Sequence, residues 1–213
     1  MKIDIVKPQE IEDKSFEIIS DIIAKDYPEF KINPDHESII KRVIHTSADF
    51  EYLNNLLISP DAVKKARLAL QNGAVIVTDT NMAKSGINKT HLAKLGGEVH
   101  CYIADEDVAL EASQRGITRA MVSMEKAAKL DRPLIFAIGN APTALIALDE
   151  MIKEGKIKPE LIIGVPVGFV NVVESKELIM DSGIEYIVAR GRKGGSNVAA
   201  AICNALVYSL VER

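Results

Sequence analysis

The chain has little of several residue types that particular functions require. Tryptophan is absent and aromatic residues make up 5% of the sequence, which disfavours a surface that stacks on nucleic-acid bases. The 26 Lys and Arg residues are outnumbered by 30 Asp and Glu, so no positive charge excess indicates nucleic-acid binding. The two cysteines, Cys101 and Cys203, are far apart in the sequence and form no CxxC spacing. We therefore expect two inert, buried thiols rather than a disulfide or a metal site.

Long hydrophobic runs are also missing. The longest, 161–173 and 198–211, are short or interrupted by polar residues, and neither is suited to spanning a membrane. The N-terminal stretch 1–8 lacks the longer apolar core of a signal peptide. Hydrophobic residues make up 47% of the chain and charged residues 26%, an ordinary globular composition. We expect one cytoplasmic domain spanning residues 1–213, without membrane contact.

Short apolar segments alternate with helical patterns over most of the chain. The β-branched and apolar character of the short segments is typical of strands buried on both faces of a parallel sheet. Strands are predicted at 74–78, 99–103, 134–138, 161–165 and 186–189, with helices at 88–95, 106–115, 118–129, 142–153, 172–182 and 195–210. Three further helices are predicted ahead of them, at 9–26, around His45 and at 61–71. This order predicts a three-layer, flavodoxin-like, doubly wound α/β fold with a five-stranded parallel sheet and additional N-terminal helices.

The second predicted helix carries a titratable side chain outside its apolar stripe. Asn33 and Pro34 supply a helix-start signal, with Asn33 as the N-cap. The apolar positions share one face, whereas Arg42 and His45 fall on the opposite face. Periodicity alone favours a solvated polar face, and a functional interpretation requires that something else covers it.

Loops after the predicted strands contain glycine, proline and basic residues. These loops lie at the carboxyl ends of the strands, where doubly wound sheets bind their ligands. The loop 190–197 is the most informative, because Arg190, Arg192 and Lys193 accompany three glycines just before a helix. Exposed backbone N–H groups and positive charge favour an anion there. A tight turn with solvated basic residues is the alternative. Ser196 and Asn197 are expected to cap the final helix.

Several functional motifs are absent. The sequence has no P-loop, no Gly-x-Gly-x-x-Gly after the first predicted strand and no Gly-x-Ser-x-Gly, which removes support for a Rossmann nucleotide site or a serine nucleophile. The four histidines show no metal-ligand spacing, so no protein-held metal is expected. An acid–base histidine and several anion-binding loops remain.

Six segments together resemble the precorrin-8X methylmutases, including the cobalt-precorrin-8 methylmutases of cobalamin biosynthesis. The segments are Lys14-Ser15-Phe16-Glu17-Ile18-Ile19, Arg42-Val43-Ile44-His45, Thr78-Asp79-Thr80-Asn81-Met82, Gly139-Asn140-Ala141-Pro142-Thr143-Ala144-Leu145, Gly164-Val165-Pro166-Val167-Gly168-Phe169-Val170-Asn171 and Gly191-Arg192-Lys193-Gly194-Gly195-Ser196. The resemblance implies an isomerase that moves a methyl group from C-11 to C-12 of a corrin precursor by a 1,5-sigmatropic shift, giving hydrogenobyrinate or, with cobalt, cobyrinate. It also implies a flavodoxin-like homodimer with sites near the interface, and no methyl donor or other cofactor.

The resemblance assigns roles to three residues. His45 matches the catalytic histidine, whereas Ser15 and Arg42 match substrate-binding residues. The substrate is a tetrapyrrole-derived macrocycle fringed with carboxylates, so from their positions we add Arg119, Arg192 and Lys193 as substrate contacts. A histidine with an ordinary pKa near neutrality is suited to lending and recovering a proton.

Two other functions remain open from the sequence. A non-catalytic corrinoid-binding module is one, although the Asp-x-His-x-x-Gly sequence expected of a flavodoxin-like cobalamin carrier is absent. A flavin- or phosphometabolite-binding α/β enzyme that uses the loop 190–197 is the other.

Overall fold

The computed structural model describes Lys7 and residues 10–211. The N-terminal stretch assessed for a signal peptide and the first residue of the predicted helix 9–26 lie outside the described residues, apart from Lys7. Four helices and one short strand form the first third of the described chain: α1 (Ile11–Asp26), α2 (Pro34–Ser47), α3 (Tyr52–Asn55), β1 (Leu56–Ile58) and α4 (Ala62–Gln71). The three predicted N-terminal helices are confirmed as α1, α2 and α4.

Strands and helices then alternate as the sequence pattern predicts. The remaining elements are β2 (Val75–Thr78), α5 (Asn81–Gly86), α6 (Lys89–Lys94), β3 (Glu98–His100), α7 (Glu106–Arg115), α8 (Arg119–Ala127), β4 (Leu134–Ile138), α9 (Pro142–Lys153), β5 (Leu161–Gly164), α10 (Val172–Asp181), β6 (Tyr186–Ala189) and α11 (Ser196–Tyr208). Two short helices, α3 and α5, were not predicted. The four residues of α3 are too few to establish a helical period, and α5 has only two apolar residues, Met82 and Ala83, which do not form a stripe.

The sheet has six strands in the order β1-β6-β5-β4-β2-β3. The five predicted strands are parallel neighbours with the order of a flavodoxin-like sheet. The prediction of a five-stranded, wholly parallel sheet is wrong in one respect. Leu56–Ile58 adds an antiparallel edge strand, in which Leu57 pairs with Val188. This strand is three residues long and is specified by its partner, so its own sequence gives no strand period.

Helices cover both faces of the sheet and produce three layers. Alternate residues of β4 point to opposite sides: Ile135 and Ala137 pack with helices α2, α4 and α11, whereas Phe136 and Ile138 pack with α8, α9 and α10. Phe136 is completely buried. Burying every position of β4 explains why its sequence is a continuous apolar run.

Several expectations from composition concern side chains that the structure describes. Cys101 and Cys203 are free and buried, as predicted, and burial raises the pKa of the Cys203 thiol to about 12. Within residues 10–211, no helix has the length and apolar character needed to cross a bilayer. The same residues contain no group of three or more His, Cys, Asp or Glu side chains arranged to hold a metal ion.

Candidate active site

Helix α2 carries His45 to the carboxyl edge of the sheet. The Asn33 side chain accepts a hydrogen bond from the Asp35 N–H (3.0 Å), which confirms the predicted N-cap. Residue 48 ends the helix in a left-handed conformation (φ 53°). Four apolar side chains of α2 are buried, whereas His45, in the last turn, is exposed. The pattern of the sequence therefore identified the buried apolar face of α2 correctly and placed His45 outside it.

Helix α1 packs beside the polar face of α2. The Arg42 guanidinium donates a hydrogen bond to the Glu12 carboxylate (2.5 Å), and its side chain is only 15% exposed. It lies 5.2 Å from the centre of the Phe16 ring and 5.0 Å from that of Tyr208, within the range of cation–π attraction. The Phe16 ring meets the His45 imidazole edge-on, with 5.5 Å between ring centres. The polar face is thus partly covered by this chain's own residues.

His45 opens on a shallow cavity of about 220 Å³ between α2, α5 and α11. Its lining residues are Arg42, His45, Thr46, Gly86, Asn197, Ala200, Ala201 and Asn204. Since Asn197 lies in the first turn of α11, which follows β6, the cavity is at the carboxyl edge where doubly wound sheets bind ligands. Two larger cavities, of about 590 and 570 Å³, do not include His45. One of them involves the opposite end of α2, about 15–20 Å away by helix length.

Four of the five predicted substrate contacts do not line this cavity: Ser15, Arg119, Arg192 and Lys193. The Ser15 hydroxyl donates a hydrogen bond to the Ile11 carbonyl of its own helix (2.8 Å), although Ser15 directly precedes Phe16, which contacts the His45 ring. Arg119 is exposed at the first position of α8. Arg42 and His45 are therefore the two predicted residues that share the cavity.

The loop 190–197 brings positive charge to the same edge, but its charges are not all solvated. Lys193 binds Asp49 at 2.6 Å and Glu51 at 2.9 Å, and its hydrogen bonds to these carboxylates raise the pKa of Lys193. Arg192 is exposed, with its guanidinium 5.8 Å from the centre of the Phe169 ring. Arg190, also exposed, is paired with Glu177 at 2.9 Å. The loop therefore presents one guanidinium without a carboxylate partner among the described residues, whereas its other guanidinium and its ammonium are already paired within the chain.

The predicted cap of the final helix is wrong. The N-cap residue of α11 is Gly195, and no side chain caps the helix. The Ser196 hydroxyl instead forms a hydrogen bond of 2.7 Å with the Thr80 hydroxyl, which links the start of α11 to the end of β2. Thr80 also caps α5 by accepting from the Ala83 N–H. A nonlocal partner has therefore replaced the local cap that sequence spacing suggested.

Asp79 is a structural residue of this edge to which the sequence assigned no role. Its side chain is 1% exposed and follows β2, beside β4 at the point where the strand order reverses. It accepts hydrogen bonds from the backbone N–H groups of Gly139, Asn140 and Ala141, at 2.9, 2.8 and 2.6 Å. Burial raises the pKa of the Asp79 carboxyl, and the three amide donors act in the opposite direction. The carboxyl fixes the loop that begins α9.

Lys176, on α10, is a second residue that sequence reasoning missed. It is completely buried, and burial lowers the pKa of its ammonium to about 8. Its position among Glu174, Ser175 and Glu177 has the appearance of an ordinary polar helix face. Only the packing of α10 under the loop after β6 distinguishes it.

Comparison with known proteins decides the family. The profile of the precorrin-8X methylmutase family matches residues 10–209. The chain belongs to this family. It is 50% identical to the cobalt-precorrin-8 methylmutase of Salmonella typhimurium, over 98% of both chains. The precorrin-8X methylmutase of Pseudomonas aeruginosa is 41% identical, over 82% of this chain and 85% of that protein.

Solved structures agree with this assignment. The precorrin-8X methylmutase of Thermus thermophilus superposes with a TM-score of 0.82 and 36% identity, over 93% of this chain and 96% of the other. A precorrin-8X methylmutase-related protein superposes with a TM-score of 0.80 and 32% identity, over 92% of this chain and all of the other. The mainly parallel α/β architecture of this precorrin-8X methylmutase family member is thus shared with structures of the family.

Proposed function

We propose that this chain catalyses the methylmutase reaction of its family, moving a methyl group from C-11 to C-12 of precorrin-8X or cobalt-precorrin-8. Relatives with both substrate names match the chain over most of its length. When cobalt is present, it belongs to the substrate. The relatives compared above are named as methylmutases, so they give no support to a non-catalytic corrinoid-binding module.

The observation that carries this proposal is the setting of His45. Its imidazole is exposed to a cavity that it shares with Arg42, at the edge of the sheet where ligands bind. An imidazole in this position is exposed to solvent and within reach of a substrate bound in the cavity. It can donate a proton, or a hydrogen bond, to the macrocycle while the methyl group migrates, and it can then recover the proton. The remaining rearrangement needs a fixed substrate conformation more than a nucleophile.

Substrate carboxylates are the proposed partners of the basic residues. Arg42 would exchange its contact with Glu12 for a substrate carboxylate, while Phe16 and Tyr208 keep the guanidinium in position. Arg192 is exposed and free to pair with a carboxylate in a bidentate manner. Ser15, Arg119 and Lys193 are proposed as further contacts. Like Arg192, they would meet parts of the macrocycle that extend beyond the cavity beside His45.

We further propose that the working unit is a homodimer. A cavity of about 220 Å³ is small beside the 300–1,000 Å³ typical of ligand sites, and a corrin precursor is a large ligand. The first turn of α5 and the segment after β5 also expose apolar side chains at this edge: Met82 is 70% exposed, Phe169 84% and Val170 78%. A second protomer that covers these side chains would enclose the macrocycle and exclude water. Sedimentation velocity of the purified protein tests this, and a monomer at assay concentrations would contradict it.

The reaction itself is tested with both substrates. The purified protein is incubated separately with precorrin-8X and with cobalt-precorrin-8, and the products are identified by mass and absorption spectrum. We expect His45→Ala to reduce turnover by about a hundredfold or more while the variant still binds hydrogenobyrinate. His36→Ala is the matched control, because His36 lines the cavity at the other end of the same helix. Full turnover by His45→Ala would reject the catalytic assignment.

A flavin or phosphometabolite enzyme is tested in the same preparation. Protein incubated with FMN and then desalted should carry no yellow chromophore. Stoichiometric retention of FMN, without conversion of either corrin precursor, would favour that alternative.

A further inference from the structure

Lys176 occupies a position that packing alone does not explain. Its side chain is completely buried, yet among the described residues no carboxylate forms an ion pair with it. Its ammonium donates hydrogen bonds to two carbonyl oxygens, those of Gly191 (2.7 Å) and Lys193 (2.9 Å). Burying an unpaired ammonium is unfavourable, and an apolar side chain would fill the same space without that penalty. The two carbonyls are therefore the feature that requires a lysine.

These hydrogen bonds determine which way the turn's peptide groups point. The intervening carbonyl, that of Arg192, accepts from the Gly168 N–H (3.2 Å), so three consecutive carbonyls are held on the inner side of the loop. The peptides are trans, and in a trans peptide the N–H points opposite to the C=O. The N–H groups of Arg192, Lys193 and Gly194 are consequently directed to the other side, and none has a partner among the described residues.

Two glycines and a close backbone contact restrict the turn to this conformation. Gly191 has φ 81° and Gly194 has φ 156°. A Cβ on Gly194 would lie 2.1 Å from the Val165 carbonyl oxygen, and the next N–H, that of Gly195, donates to that oxygen (2.9 Å). The loop is thus packed against the segment after β5, with the Lys176 ammonium hydrogen-bonded to two of its carbonyl groups.

We propose that Lys176 is a positioning residue for substrate binding. By holding the carbonyls of Gly191 and Lys193 inward, it directs the N–H groups of Arg192 and Gly194, together with the Arg192 guanidinium, toward a carboxylate of the macrocycle. Successive outward N–H groups form a concave site for anions. This inference rests on the proposed role of the loop in binding substrate carboxylates, and Lys176 itself does not touch the substrate.

The test uses the intact protein and three substitutions. Lys176→Met removes both hydrogen bonds, whereas Lys176→Gln keeps an uncharged N–H donor group. Lys153→Met is the matched control, because Lys153 is an exposed lysine paired with Asp149 on α9. We measure KM, kcat and the Kd for hydrogenobyrinate, and confirm folding by circular dichroism. Amide hydrogen exchange of the segment 190–195, without ligand, reports directly on the tether.

We expect Lys176→Met to raise KM and Kd about tenfold with kcat within about threefold of the wild-type value, since a lost positioning contact acts on binding. Lys176→Gln should recover part of the affinity, and exchange in 190–195 should accelerate in Lys176→Met but not in Lys153→Met. Unchanged exchange and affinity in a folded Lys176→Met would overturn the inference. If Arg192→Ala also leaves Kd unchanged while exchange accelerates in Lys176→Met, the tether exists but the loop does not bind the carboxylate, and the proposed role of the loop fails instead.

Discussion

The Asp79 carboxyl provides a sharp test of what holds the carboxyl edge together. Asp79→Asn preserves the shape of the side chain but replaces one acceptor oxygen with an NH₂ group. In the native structure one carboxyl oxygen accepts from the Gly139 N–H, and the other from those of Asn140 and Ala141. An asparagine oxygen can serve one of these two groups of donors, and its NH₂ then faces N–H donors instead of accepting from them.

The magnitude follows from the number of donors left without an acceptor. The asparagine amide can turn its oxygen toward the two donors of Asn140 and Ala141, so that the Gly139 N–H and the NH₂ group facing it are left without acceptors. Each buried donor left unsatisfied costs about 1–3 kcal/mol, so the two together cost about 2–6 kcal/mol. Relief of burying a charge offsets part of this, and we expect a net loss of about 3 kcal/mol in the free energy of unfolding. For a chain of 213 residues, that corresponds to a fall in Tm of about 6–12 °C.

Guanidinium denaturation followed by far-UV circular dichroism measures this loss, since the chain has no tryptophan for fluorescence. The control is Asp131→Asn, at an exposed position, for which we expect a change within about 0.5 kcal/mol. Activity of Asp79→Asn should fall as well, because the loop that begins α9 loses its anchor. A loss of stability below about 1 kcal/mol, similar to that of the control, would refute the reasoning.

Three further predictions concern the loop and the polar face of α2. Gly194→Ala, whose Cβ would lie 2.1 Å from the Val165 oxygen, should weaken hydrogenobyrinate binding by at least about tenfold, about 1.4 kcal/mol; unchanged affinity in a spectroscopic titration would contradict the close packing. Burial lowers the pKa of Lys176 from 10.5 to about 8, so between these values the unfolded state binds more protons and stability rises with pH. From pH 7 to pH 9, wild type should gain about 1 kcal/mol relative to Lys176→Met, and parallel pH profiles in denaturation experiments would argue against this. Glu12→Gln removes a carboxylate that competes for Arg42 and should lower the Kd for hydrogenobyrinate about two- to fivefold, whereas weaker binding would indicate that Glu12 orients the arginine for the ligand.

Local signals in the sequence were sufficient for most of the secondary structure. The cap at Asn33, the proline that follows it and the apolar stripe of α2 each involve residues within a few positions of one another. Four of the five predicted strands were recognisable because both of their faces are largely covered, so their sequences are short apolar runs. The fifth, predicted at 99–103, is the shorter edge strand Glu98–His100, which is only partly covered. Strand β1 was not predicted, because it is a three-residue edge strand that is defined by its pairing with β6.

The candidate site was only partly accessible to the same reasoning. His45 and Arg42 could be recognised from their position off the apolar stripe and from the family resemblance. The expected cap by Ser196 was wrong because the Thr80 hydroxyl, 116 residues away in sequence, lies within hydrogen-bond distance. Asp79 and Lys176 gave no signal of their roles, since each acts on backbone groups of a distant loop.

The sequence by itself determined where most of the helices and strands lie, which faces are apolar, and that His45 stands apart from the core. These properties depend on interactions over a turn of helix or along a strand, which spacing records directly. Tertiary structure decided what those side chains meet. It set Glu12 against Arg42 across 30 residues, paired Lys193 with Asp49, and brought a buried ammonium beneath the loop 190–197. Such contacts depend on strand order and helix packing, and a residue's sequence neighbours do not encode them.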